Sequence, residues 1–272
     1  MQFARLNNVV HHYQVIGAPE SRPALVFVNS LGTDFRIWRD VVVRLAGEFA
    51  IVTYDKRGHG LSEVGHTPYS IEMLAEDLAA LLDHLRVRGA VICGVSVGGL
   101  VAQQLCHARP DLVAALILCD TLGRMGDAEF WNRRIAAIEA NGLAFIADGI
   151  LERWFTPAFR ASRNADLAGY RAMLSRQPVD GYIGTCMALR EADLTADVGR
   201  LAAPTLVVAG DSDLSPSPRL AADFARSIPG ARFEIIKACG HIPSVEQPET
   251  LAAIIRAFMS LVGTESASHV SH

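Results

Sequence analysis

Ala90-Val91-Ile92-Cys93-Gly94-Val95-Ser96-Val97-Gly98-Gly99 is the stretch on which the fold turns. A short apolar run, Ala90 to Cys93, meets glycine. A helical pattern from Leu100 to Ala108 follows and stops before Pro110. The order is strand, sharp turn, helix, with Ser96 at the turn inside Gly-x-Ser-x-Gly. Such a turn strains the backbone of its central residue, and side chains at positions 94 and 98 would collide with the neighbouring strand and helix. The turn lifts the serine hydroxyl above the sheet and aims the Val97 N–H, at the start of the helix, toward an oxyanion. Ser96 is thus the candidate nucleophile, against the plainer reading of a structural turn.

Outward from this turn the chain alternates. Strand patterns lie at Val9–Ile16, Ala24–Val28, Ala50–Tyr54, Ala90–Cys93, Leu116–Cys119, Thr205–Ala209 and Phe233–Ile236. Helix patterns lie at Arg39–Ala46, Leu220–Ser227 and Pro248–Leu261. Another is the stripe Ile71, Leu74, Leu78, Leu81, Leu82, Leu85 at helical period. Apolar strands alternating with amphipathic helices predict an α/β fold with a mostly parallel central sheet flanked by helices. From about Arg124 to Asp197 the alternation fails. That interval is helical, carries Trp131 and Trp154, and reads as an inserted helical cap over the strand ends, where ligands bind in open α/β sheets. The expected organisation is a core of 1–123 and 198–262, a cap of 124–197 and a flexible C-terminal tail of 263–272.

Half of the 272 residues are hydrophobic, enough for one large core. A net charge of −4 without long charged runs gives no footprint for nucleic acid. No uncharged apolar stretch reaches the ~18 residues of a membrane span, and the N-terminus has no apolar signal core. Five cysteines form no C-x-x-C pair. Cys93, Cys106 and Cys119 sit in apolar segments, as buried thiols of a cytoplasmic protein would.

A serine hydroxyl needs a base. Of nine histidines, His241 lies in Gly240-His241-Ile242-Pro243, after the last strand pattern, and fits the order serine, acid, histidine. His11, His12, His66, His84, His107, His269 and His272 occupy positions typical of solvated faces or tails. The acid must fall between Ser96 and His241. Asp213, three past Gly210 and before the turn Leu214-Ser215-Pro216-Ser217-Pro218, is the candidate that fixes the His241 tautomer. Asp211 and Asp120 are its rivals. The strand and loop Val26-Phe27-Val28-Asn29-Ser30-Leu31-Gly32 place a second oxyanion donor at the Leu31 N–H.

The segment Tyr54-Asp55-Lys56-Arg57-Gly58-His59-Gly60-Leu61-Ser62 is similar to the D-x-R-G-H-G-x-S loop of the α/β-hydrolase superfamily, which the chain resembles over residues 3–262. His59 in that loop is expected to be structural. More narrowly the chain resembles 3-oxoadipate enol-lactonases, most strongly over 29–195. The segments that carry this are 29–34 (Asn-Ser-Leu-Gly-Thr-Asp), 131–135 (Trp-Asn-Arg-Arg-Ile), 151–157 (Leu-Glu-Arg-Trp-Phe-Thr-Pro), and Asp180-Gly181-Tyr182 with 188–194. Departures are Val95 and Val97 around the serine, Lys56 where Thr or Met is common, and Ile242-Pro243-Ser244 after the histidine.

The resemblance implies an anionic small-molecule substrate, a five-membered enol-lactone with an acetate arm, opened through an acyl-enzyme to 3-oxoadipate without metal or organic cofactor. It implies neither a nucleic-acid nor a membrane partner. Substrate-binding candidates in the cap are Trp131, Trp154 and Arg134, whose spacing from Trp131 puts both on one helix face. Arg133 and Arg153 are alternatives for the carboxylate. The competing readings are another carboxylesterase or perhydrolase with the same triad and, more remotely, a small-molecule receptor on this fold. Ser96 argues against a dehalogenase, which needs an aspartate there.

Overall fold

The computed structural model describes residues 1–18 and 24–269, and for 263–269 the backbone alone. Eight strands form one sheet: β1 (Gln2–Leu6), β2 (Val9–Ile16), β3 (Ala24–Val28), β4 (Ala50–Tyr54), β5 (Ala90–Val95), β6 (Val113–Cys119), β7 (Thr205–Gly210) and β8 (Arg232–Ile236). Their order is β1-β2-β4-β3-β5-β6-β7-β8. β1 and β2 pair antiparallel, as do β2 and β4; every other pairing is parallel. Every residue of β3, β4 and β5 is buried, as in strands covered by helices on both faces.

The covering helices are α1 (Arg39–Leu45), α2 (Ile71–His84), α3 (Val97–Ala108), α9 (Pro218–Ser227) and α11 (Pro248–His269), with a short α10 (Pro243–Glu246). Between β6 and β7 lie α4 (Ala128–Asn141), α5 (Leu143–Trp154), α6 (Pro157–Ser162), α7 (Asn164–Ser175) and α8 (Val179–Glu191). Local chemistry starts and stops them. Asp127 caps α4 by accepting the Phe130 N–H at 2.8 Å. Gly142, at φ +76°, turns the chain between α4 and α5 in a conformation that L side chains resist. Thr156-Pro157 opens α6 with a capping hydroxyl and a ring-fixed φ.

Three features differ from the sequence reading. β1 is an additional strand. It is a five-residue edge strand with polar alternation, Phe3 exposed and Ala4 buried, so its apolar signal is weak and pairing with β2 defines it. α11 continues to His269, so the backbone of 263–269 extends the helix through most of the stretch expected as a tail. Residues 270–272, including His272, lie outside the described residues. Finally, His11 and His12 are buried, not solvated. β2 is the second strand of the sheet, between β1 and β4, and each ring sits beside a carboxylate: His12 Nδ1 is 2.8 Å from Asp55 Oδ2 and His11 Nε2 is 3.7 Å from Asp77 Oδ1.

Candidate active site

Ser96 joins β5 to α3 with φ +57° and ψ −122°. Non-glycine residues rarely adopt positive φ, and here the surroundings impose it. The Ser96 N–H donates to Cys119 O at 3.0 Å, and Thr121 Oγ1 donates to Ser96 O at 2.7 Å. A Cβ on Gly94 would lie 2.3 Å from Gly98 O, and one on Gly98 would lie 2.2 Å from Val28 O. The two glycines let the start of α3 touch both β5 and the end of β3. Ser96 heads α3, where free N–H groups favour negative charge.

His241 follows β8, and its Nδ1 is 2.9 Å from Asp213 Oδ2. Both side chains are nearly buried. Asp213 lies just past β7, and its other oxygen accepts the Ser215 N–H at 2.9 Å, which fixes the carboxylate plane. Neither rival acid is arranged this way. Asp211 faces outward and accepts from Ser212 Oγ and the Cys239 N–H. Asp120 is fully buried at the end of β6 and accepts the Gly210 N–H at 2.9 Å. Burial, followed by the charge of Asp213, drives the Asp120 carboxyl well above the usual carboxylate range.

The loop after β3 lies across from the serine. Its Gly32 N–H donates to His59 Nε2 at 3.1 Å, while His59 Nδ1 faces Arg57 O at 3.2 Å. Burial, and then the nearby Lys56, push the His59 imidazole well below its ordinary value. A neutral ring with Nδ1–H donating and Nε2 accepting satisfies both contacts.

A cavity of about 320 Å³ opens over Ser96 and His241, with Ser30 and Leu31 on one side and the cap on the other. It suits a small ligand. Trp131, Trp154 and Tyr182 wall it, all nearly buried. The Trp131 indole N–H is already committed to Met125 O at 2.6 Å, so this ring offers a ligand only its surface. Three cap arginines reach the rim. Arg133 pairs with Glu129 at 2.5 Å. Arg134 lies over the rings of Phe130 and Trp131, at 4.6 and 5.0 Å, and Arg153 lies over Phe130 at 5.1 Å. Among the described residues neither Arg134 nor Arg153 has a carboxylate partner. Partial burial and the adjacent Arg134 lower the Arg153 guanidinium from its ordinary value, against an opposing pull from Asp213.

Two residues that shape this site have no role in the sequence reading. Lys56, there only an unusual residue, is fully buried with its ammonium 2.9 Å from Ser30 O. Glu246 in α10 accepts the Gly240 N–H at 2.9 Å and also the Thr156 N–H and hydroxyl. It ties the histidine loop to the cap, where the His241 N–H also donates to Trp154 O at 2.9 Å. Among the described residues no cluster of three or more His, Cys, Asp or Glu side chains is arranged to hold a metal, and no helix is long and apolar enough to cross a membrane.

Residues 23–248 match the family described as alpha/beta hydrolase fold. A 3-oxoadipate enol-lactonase of Acinetobacter baylyi is 34% identical over 93% of this chain and 94% of its own. The crystal structure of the enol-lactonase from Burkholderia xenovorans superposes with a TM-score of 0.92 at 33% identity, covering 95% of this chain and all of the other. A thermophilic esterase from Thermogutta terrifontis, with malate bound, superposes at 0.91 with 28% identity, covering 96% and 99%. The eight-stranded sheet, the serine between β5 and α3 and these likenesses agree: the chain belongs to the alpha/beta hydrolase fold family and is a carboxylic ester hydrolase.

Proposed function

We propose that the protein opens the ring of 3-oxoadipate enol-lactone, or a close analogue carrying a carboxylate arm, to the 3-oxo acid. Ser96 attacks the lactone carbonyl while His241 takes its proton through Nε2, held in register by Asp213 on Nδ1. The N–H groups of Leu31 and Val97 receive the oxyanion. Collapse breaks the ring C–O bond and expels an enolate, which takes the proton from His241 and settles as a ketone. The other end remains an ester on Ser96. His241 then removes a proton from water, water attacks that ester, and the Ser96 alkoxide leaves with the proton returned.

The observation that carries the substrate class is the pair of guanidiniums, Arg134 and Arg153, without carboxylate partners among the described residues, at the rim of a small aromatic-walled cavity over Ser96. A ligand carboxylate would complete them, and a charge-assisted contact of this kind is worth roughly 1.5–3 kcal/mol. The esterase likeness favours a second reading, an esterase for other short carboxylate-bearing esters, and the same assay separates the two.

The test follows the ultraviolet chromophore of the enol-lactone beside p-nitrophenyl acetate. Ser96→Ala is expected to lose activity on both, about 10⁴-fold or more. Arg134→Ala is expected to lose about 10- to 100-fold in kcat/KM on the lactone and little on the neutral ester, each 1.4 kcal/mol being tenfold. A wild-type enzyme inert on the lactone but active on other carboxylate esters would select the second reading.

A further inference from the structure

The Ser30 carbonyl collects three donors: Lys56 Nζ and Thr33 Oγ1, each at 2.9 Å, and the Thr33 N–H at 3.4 Å. Two come from Thr33 in the same loop and one from Lys56 in the loop after β4, so the carbonyl is tied on both counts. Ser30 and Leu31 share one peptide plane, and their bond is trans. A trans peptide sends its C=O and N–H in opposite directions. Holding the Ser30 carbonyl therefore also fixes the direction of the Leu31 N–H, in a stretch where both residues line the cavity. The Gly32 N–H is fixed next door by His59, so the loop has little freedom to twist.

We infer that Lys56 is a positioning residue of the oxyanion hole: its buried ammonium holds the Ser30–Leu31 peptide so that the Leu31 N–H meets the tetrahedral intermediate. This rests on the reading of Ser96 as nucleophile. A fully buried lysine is costly unless something is gained, and here the chain bends its side chain inward to a single backbone oxygen. Burial presses the Lys56 amine down to about 7, against the opposing pull of Asp55 and Asp34. The neutral amine keeps N–H donors for the same carbonyl, so the anchor survives loss of the proton. An oxyanion donor works only when aimed at the place where charge develops, and preorganisation of that aim is the part Lys56 supplies.

The experiment compares Lys56→Met, which keeps length and apolar bulk but cannot donate, with wild type and Ser96→Ala. The readouts are kcat and KM on p-nitrophenyl acetate, and inhibition by an aliphatic trifluoromethyl ketone, which adds to the serine and places an oxyanion in the hole. Removing an oxyanion donor outright costs about 10²–10³ in kcat, so misaiming one is expected to cost about 10- to 100-fold. KM is expected to stay within about threefold, and the ketone to bind more weakly by the same factor as kcat falls. Thr33→Val is the companion variant, which removes a second donor from the same carbonyl. It is expected to give a smaller loss of the same kind and decides the matter if Lys56→Met does not fold. A Lys56→Met enzyme with kcat and ketone affinity within about twofold of wild type, beside an inactive Ser96→Ala, overturns the inference alone. So does a rise in KM with ketone affinity unchanged. An active Ser96→Ala overturns the nucleophile and the inference together.

Discussion

Three aspartates compete for one role, and their surroundings separate them at the scale of single atoms. Asp213 presents an oxygen to His241 Nδ1 and has its second oxygen fixed by the Ser215 N–H. Asp120 is just as buried, but burial and the charge of Asp213 raise its carboxyl well above the usual carboxylate range. A carboxyl raised in this way favours its protonated form, which is chemically close to an amide. Asp120→Asn keeps the acceptor for the Gly210 N–H, and asparagine tolerates the positive φ of 47° at this position. Asp120→Asn is therefore expected to keep kcat within about threefold. Asp213→Asn places an amide against the imidazole, favours the wrong tautomer and is expected to cost about 10⁴-fold. Steady-state kinetics on both variants decides it, and the reverse ranking would move the acid to Asp120. The sequence offers all three acids on loops at strand ends. Position relative to Gly210 favours Asp213, but only the path of the chain after β7 and β8 brings that carboxylate to the histidine.

At the scale of elements, the alternation of strands and helices is legible because each strand and each amphipathic helix carries its own period. The contacts that join elements are not, since they bridge long intervals. Thr156 and Glu246 are 90 residues apart, yet Glu246 binds both the start of α6 and the Gly240 N–H beside His241. No local pattern marks a glutamate in a four-residue helix as the clamp between cap and core. Lys56 is a similar case: the motif around it is visible, while its direction depends on the loop after β3. Glu246→Ala would leave the Gly240 and Thr156 N–H groups without their acceptor. It is expected to cost about 2–3 kcal/mol of stability, with a roughly tenfold fall in kcat as the His241 loop loosens. Glu246→Gln retains a carbonyl acceptor for those N–H groups and is expected to recover most of both. Urea unfolding and kcat on the three proteins check this; equal loss in Ala and Gln variants would make the charge, not the geometry, the holding element.

For the whole molecule, the sheet gathers the loops that follow β3, β4, β5, β6, β7 and β8 at one edge, as expected where ligands bind in open α/β sheets. That edge also concentrates buried ionisable groups. Lys56 faces Asp55 and Asp34, whose charges favour its proton, and His59, which stays neutral. Such an arrangement trades stability for function, and pH exposes the trade. Below pH about 7 Lys56 is protonated in both the folded and the unfolded chain, so the folded protein carries the full penalty of a buried ammonium. Above that pH the folded protein releases the proton, while the unfolded chain holds it to about 10.4. At this group the unfolded state then binds more protons, and the Lys56 contribution to stability becomes more favourable with pH across this window. Lys56→Met removes the group from the balance. Its melting temperature is expected to exceed the wild type's at pH 6 by about 2–6 °C, the size of a gain of one to two kcal/mol, and the difference is expected to shrink at pH 9. Melting curves of both proteins at the two pH values test it. A difference that is zero at pH 6, or that grows toward pH 9, would mean that Lys56 folds without an electrostatic penalty and that its burial is not a stability cost borne for the site.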